Sequence, residues 1–153
     1  MQKGKKLSFK ELQAFWKRGN DFNEKAKRLL WYKENEIWMT HPTKVYPKGH
    51  KFAGKPRRFR LDSWKLDESG VGMIVSRKAT NLSEIQQNTF IKYCRELQEK
   101  YPEGSNIARK GIENKLHGKH YLELPDSNLN FEKIIEYKKI ANDFDVTLIF
   151  KTE

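Results

Sequence analysis

Asp62 and Lys78 carry the two side-chain types that phosphodiester chemistry uses most, and the local pattern brings them together. Residues 57–64 alternate, with Phe59 and Leu61 opposite Arg58, Arg60 and Asp62, which predicts a strand. Asp67-Glu68-Ser69-Gly70 is turn chemistry, and residues 71–78 predict a second strand centred on Met73-Ile74-Val75. An antiparallel hairpin of the two places Asp62 towards the end of one strand and Lys78 at the end of the next. A carboxylate there can hold a hard divalent cation, which activates water and neutralises charge on a phosphate. The lysine can orient the attacking water or stabilise the developing anion. Spacing alone is equally compatible with a surface ion pair.

A basic tract precedes this hairpin. Lys44, Lys48, Lys51, Lys55, Arg57, Arg58 and Arg60 lie within residues 44–60, which contain no acid, and Tyr46, Phe52 and Phe59 interleave with them. Cations grip phosphates and aromatic rings stack on bases, so the tract is a candidate nucleic-acid contact; the plainer reading is a solvated basic loop. Residues 41–56 hold three Pro and two Gly and are expected to be a loop, one that orders on a partner. His117 and His120 flank Gly118 and offer a second chemistry, acid–base cleavage of RNA without a metal. Cys94, the single cysteine, lies on the apolar side of a predicted helix, where packing is expected rather than reactivity.

The elements that must position these residues follow from periodicity. Ser8-Phe9-Lys10-Glu11 fits a capping box, and Leu12, Phe15 and Trp16 fall on one helical face. Gly19-Asn20 interrupts the pattern, so a second helix is expected from Asp21, with Phe22, Ala26, Leu29 and Leu30 inward. A short strand at 36–40 precedes the hairpin. Asn81-Leu82-Ser83-Glu84 leads into a helix ending near Tyr101, with Ile85, Phe90, Tyr93, Cys94 and Leu97 buried. A strand at 121–124, a helix beginning at Asn130-Phe131 and a final apolar strand at 146–150 complete the order α-α-β-β-β-α-β-α-β. That order predicts an α+β fold, a small mixed β-sheet flanked by helices.

The chain of 153 residues suits one domain, 1–153, with residues 1–18 as an N-terminal helical extension. Thirty-one Lys and Arg against 20 Asp and Glu give +11. Residues 121–153 hold seven acids against four Lys, net −3, so residues 1–120 carry +14. Such an excess points to a polyanion as partner, or else serves solubility. An aromatic share of 12% excludes a disordered tail, and no apolar run is long enough for a membrane span. One cysteine excludes an internal disulfide and a multi-cysteine zinc site, and the lysine-rich N-terminus is not expected to be a secretory signal.

Arg60-Leu61-Asp62-Ser63-Trp64, a turn, and then residues 74–85, reading IVSRKATNLSEI, together resemble the C-terminal toxin domains of bacterial polymorphic and contact-dependent toxins, restriction-endonuclease-like domains of the PD-(D/E)XK type. Gly19-Asn20-Asp21-Phe22-Asn23 resembles the family's helix opening, YCRELQEKYPEG at 93–104 its central helix and LHGKHYLELP at 116–125 its late strand. The resemblance runs from about residue 19 to the C-terminus. It implies a restriction-endonuclease-like core, Asp62 as the first metal-binding acid, Lys78 as the motif lysine, and Mg2+ or another divalent cation. The sequence departs from the motif at Ser76, where the pattern wants an acid two residues before the lysine; Met73, where relatives often carry Glu, is also non-acidic. The second acid is then Glu84 or Glu96 on the following helix, Glu24 on the early one, or missing, in a metal-independent or degenerate domain.

The resulting expectation is a nuclease toxin that hydrolyses DNA or RNA, tRNA included. It would be delivered from the producing cell as part of a larger secreted effector, act in the target-cell cytoplasm, and be neutralised in the producer by an acidic immunity protein. Lys44, Lys48, Lys51, Lys55, Arg57, Arg58, Arg60 and Arg77 are the expected phosphate contacts. Strand alternation opposes Arg77 to Lys78. The alternatives are a nucleic-acid-binding module without catalysis and a metal-independent RNase.

Overall fold

The computed structural model describes residues 8–108 and 115–153. Helix α1 (Phe9–Arg28) opens with the expected capping box: the Ser8 hydroxyl accepts from the Glu11 N–H at 3.2 Å and the Glu11 carboxylate accepts from the Ser8 N–H at 3.4 Å. It runs unbroken through Gly19-Asn20, where two helices were expected. One glycine costs a helix only about 1 kcal/mol, and packing of Phe22 and Ala26 on the sheet overrides it.

Strands β1 (Glu34–Val45), β2 (Pro56–Leu66) and β3 (Gly72–Arg77) form an antiparallel meander. Part of the expected loop at 41–56 is strand, because β1 extends to Val45 and pairs again with β2 at Pro56. A 3₁₀ turn (Leu82–Glu84) and helix α2 (Gln87–Lys100) then cross to the two-residue β4 (Asn106–Ile107) and to β5 (Lys119–Pro125). A second 3₁₀ segment (Asp126–Asn130), helix α3 (Ile134–Asp143) and strand β6 (Val146–Lys151) end the chain. The sheet order is β4-β1-β2-β3-β5-β6. β3 pairs antiparallel with β2 and parallel with β5, and β5 pairs parallel with β6. The fold is α+β, a six-stranded mixed sheet with three helices. Among the described residues no helix is long and apolar enough to cross a membrane.

The sheet faces are read from β5. Leu122 and Leu124 join Phe90, Cys94 and Leu97 of α2, Tyr137 and Ala141 of α3 and Val146 and Leu148 of β6 in the larger core. Glu123, between them in the alternation, faces the other way, towards Tyr32 after α1. A smaller core of Ile37, Met39, Leu61, Trp64, Ile74 and Leu116 fills the β1–β2–β3 end.

The parallel β3–β5 pairing begins where two backbones nearly touch. A Cβ on Gly118, whose φ is +128°, would stand 2.0 Å from the Gly72 carbonyl oxygen, and one on Gly72 would stand 2.1 Å from the His117 oxygen. Only glycine fits at either place. Gly118→Ala is expected to destabilise the fold by at least roughly 2 kcal/mol in urea titration, whereas Gly49→Ala at the open arm tip, which meets no atom within 4 Å, adds only backbone strain.

Candidate functional site

Lys78 follows β3 at its carboxyl end, the side on which open sheets with crossover helices expose a crevice. Several bonds fix this exit. The Lys78 N–H continues the ladder by donating to the Glu123 carbonyl at 3.0 Å. Buried Asn128 then fastens the next residues, accepting from the Leu82 N–H at 2.8 Å and donating to the Thr80 carbonyl at 2.8 Å. The Lys78 ammonium stands over the Tyr93 ring of α2, 4.9 Å from its centroid.

Asp62 reaches the same place from β2. Its Oδ2 accepts a 2.7 Å hydrogen bond from the Arg77 N–H, the amide just before Lys78. Desolvation pushes the Asp62 carboxyl above the usual carboxylate range, opposed by that hydrogen bond and by the charges of Arg77, Lys78 and Arg60. Asp62 and Lys78 are thus within each other's electrostatic reach. Asp62 and Glu96 both act on Tyr101 at the end of α2, whose phenol is pushed up first by burial and donates at 2.6 Å to the Arg60 carbonyl. Burial also raises the Tyr93 phenol. Both phenols stay protonated near neutral pH and can donate hydrogen bonds.

The side chain of Arg77 goes the other way. It is 2% exposed and pairs through Nε with fully buried Glu123, which also accepts from the Tyr32 hydroxyl. Its other nitrogens donate to Ser63 Oγ at 3.0 Å and Asn23 Oδ1 at 3.1 Å. Arg77, expected among the phosphate contacts, is sealed beneath α1. The backbone of Arg77 holds Asp62 while its side chain anchors the strand.

The basic tract is a β-arm rather than a loop awaiting a partner. Tyr46 stacks on His50 with centroids 4.5 Å apart, Phe52 packs on both, and Lys51 and Lys55 stand over Phe52 at 4.9 and 5.7 Å. The tip is closed by hydrogen bonds from Tyr46 N–H to the Lys55 carbonyl and from Gly54 N–H to the Tyr46 carbonyl, both 3.0 Å. His41 ties the arm's base to α2: its Nδ1 accepts from the Lys44 N–H at 2.8 Å, so Nε2 carries the hydrogen that it donates to the Glu99 carbonyl at 2.9 Å. Lys44, Lys48, Lys51, Lys55, Arg57, Arg58 and Arg60 are exposed along this arm. Between the arm and α2 runs a cleft of about 470 Å³, in which Lys44, Arg57, Lys92, Arg95 and Lys100 outnumber Glu96 and Glu99.

The expected second acids are spread out. Glu24 is exposed and pairs with Lys27 at 3.1 Å. Glu84 is exposed, accepts from Asn81 at 3.2 Å and acts on Arg18. Glu96 is nearest in role, half-buried at the cleft and shared between Lys92 at 3.9 Å and Lys100 at 3.6 Å. Among the described residues no three His, Cys, Asp or Glu side chains converge on one point. A single carboxylate at Asp62 cannot cage a divalent cation by itself; it matches the one-carboxylate share that Mg2+ takes where substrate phosphates supply the remaining oxygens.

His120 is buried, its ring Nε2 2.6 Å from the Tyr101 carbonyl and its pKa lowered by desolvation; Trp64 packs edge-on against His117. Burial pushes the Cys94 thiol up to about 12, which leaves it unreactive. Glu123 and Tyr32 were not anticipated; the signal for Glu123 was an acid set between two leucines in the apolar half of β5. No family model matches the sequence, and neither a curated protein nor a solved structure matches it.

Because burial disfavours the charged form of Asp62, its ionisation costs folding stability above both its folded and unfolded pKa values and costs nothing below them. Asp62→Asn keeps an oxygen for the Arg77 N–H. Thermal melts are expected to show the variant more stable than the parent at pH 7, with the gap closing as pH falls towards roughly 4. Glu123→Leu leaves the Arg77 guanidinium buried and unpaired and is expected to cost about 3–5 kcal/mol in urea titration.

Proposed function

We propose that this protein is a nuclease of the restriction-endonuclease-like type, binding nucleic acid along the arm–α2 cleft and cleaving phosphodiester bonds at Asp62 and Lys78. The observation that carries the reading is a desolvated carboxylate, bonded to the Arg77 amide at the carboxyl end of β3 and within electrostatic reach of Lys78, on a chain that also bears a cation-rich cleft between the arm and α2. The element order α1-β1-β2-β3-α2-β5, with β3 antiparallel to β2 and parallel to β5, supports the core assignment. In this reading the cleft cations displace counterions and hold the backbone. Asp62, its pKa raised by burial, orients and deprotonates the attacking water. Lys78, held over the Tyr93 ring, takes up the negative charge that grows on the phosphoryl oxygens. The proposal includes the toxin role and an acidic immunity protein whose charge matches the arm.

Incubation with plasmid DNA and with total tRNA, each with magnesium and with EDTA, tests this. Cleavage is expected from the parent chain, with Asp62→Asn and Lys78→Met each slower by on the order of 100-fold or more. Persistence in EDTA assigns the chemistry to protein groups alone. A second reading, a binding module without catalysis, is favoured by the lack, among the described residues, of any cluster of three His, Cys, Asp or Glu side chains. Intact substrate throughout, with binding that weakens steeply with salt, selects it.

A further inference from the structure

A second cleft, of about 610 Å³, opens on the α1 side of the β3 exit. Phe15 and Trp16 line it from α1, Asn20 and Asn23 lie one and two turns further along, and Lys78 and Tyr93 close its far wall. The composition is unusual for a helix packed on a sheet. Phe15 is 50% and Trp16 54% exposed, although the helical pattern marks them as a buried face. An aromatic wall, amide groups and a cation within one concavity match the parts of a nucleotide: flat rings stack on a base, amides pair with its edge, and an ammonium meets its phosphate. Asn23 accepts from Arg77 through Oδ1, and its NH₂ can donate to a further acceptor. Lys78 is shared: it lines this cleft and its charge acts on Asp62. The +14 carried by residues 1–120 favours an anionic occupant over an apolar one.

We propose that this cleft is a nucleobase subsite, taking one unpaired base against Trp16 and Phe15, with Asn20 and Asn23 at its edge and its phosphate at Lys78. A paired base is closed to such stacking, so the substrate class is single-stranded nucleic acid or the loops and ends of a folded one. This rests on the nuclease reading only for the role of Lys78; base binding stands apart from cleavage.

The full chain carrying Asp62→Asn, which holds substrate without turnover, is titrated with short fluorescent oligonucleotides and followed by anisotropy. Three kinds are compared: single strands in ribo and deoxyribo form, the same strands with one abasic position, and a duplex of equal length. Adding Trp16→Ala is expected to weaken at least one single strand about tenfold, to leave the duplex unchanged, and to lose its effect on the abasic strand. Asn20→Ala, an exposed position with little bearing on folding, is expected to act in the same direction. The sugar whose strand is affected identifies the source. Adding Arg57→Ala instead is expected to weaken single strand and duplex alike and to flatten the salt dependence. Unchanged affinity of both single strands on Trp16→Ala, or equal losses on single strand and duplex, overturns the subsite. Cleavage of tRNA or plasmid by the parent chain is read separately, so a base-dependent but inactive protein and an active but base-indifferent one give different results.

Discussion

Arg77 is the residue through which the two faces of the sheet are joined. Its guanidinium is buried beneath α1 with Glu123, Tyr32, Ser63 and Asn23 around it, and its amide on the same residue holds the Asp62 carboxylate. A buried ion pair adds little net stability, because desolvation offsets its attraction, but it is costly to break and so tolerates one geometry. That geometry fixes the rotation of β3 at its last residue. With the side chain of Arg77 committed to α1, alternation sends Lys78 to α2, where Tyr93 receives it. The orientation of Lys78 on one face is set by a charge pair on the other.

The surrounding elements serve the same end. Asn128 and the Lys78–Glu123 ladder bond prevent the chain from swinging away as it leaves the sheet. Arg18 reaches from the middle of α1 to Asn81 and to Glu153, joining α1, the β3 exit and the C-terminus. On the other side, His41 and the Tyr101–Phe59 contact hold the basic arm against α2, so the cleft between them keeps its width. The arm's own aromatics pack on one another, with lysines over the rings, which gives a surface almost devoid of aliphatic residues a defined shape.

Much of this was legible in the order of residues, and the limits have physical causes. Alternation in 57–64 and 71–78 located β2 and β3, and with them the approach of Asp62 to Lys78, since a hairpin with a short turn leaves little freedom of register. The Ser8–Glu11 box and the face of α2 were equally plain, because both are local. The unbroken α1 was not, since burial of Phe22 and Ala26 against the sheet outweighs the local cost of Gly19. Neither was Arg77: on paper its charge resembles that of Arg58 or Arg60, and only the partner at Glu123, brought alongside by the parallel pairing of β3 with β5, turns it from a surface cation into a buried one. Phe15 and Trp16 misled for the converse reason, since helical periodicity marks a face but cannot say whether anything covers it.

The place of Ser76 in this arrangement has an electrostatic logic. Asp62 already bears a desolvation cost that the charges of Arg77, Lys78 and Arg60 only partly offset. A second carboxylate on the neighbouring strand would raise that cost further, as two acids sharing a dry site resist simultaneous ionisation. Sites with two acids resolve the conflict with a bound cation. Here, with a hydroxyl in that position and the charges of Arg77, Lys78 and Arg60 acting on Asp62, the balance at the β3 exit stays positive, which in the proposed reading leaves room for the charge of a substrate phosphate. In the proposed nuclease reading, an anion attracted by the arm and the cleft meets Lys78, and the negative charge it brings near Asp62 makes that carboxylate a stronger base towards a neighbouring water.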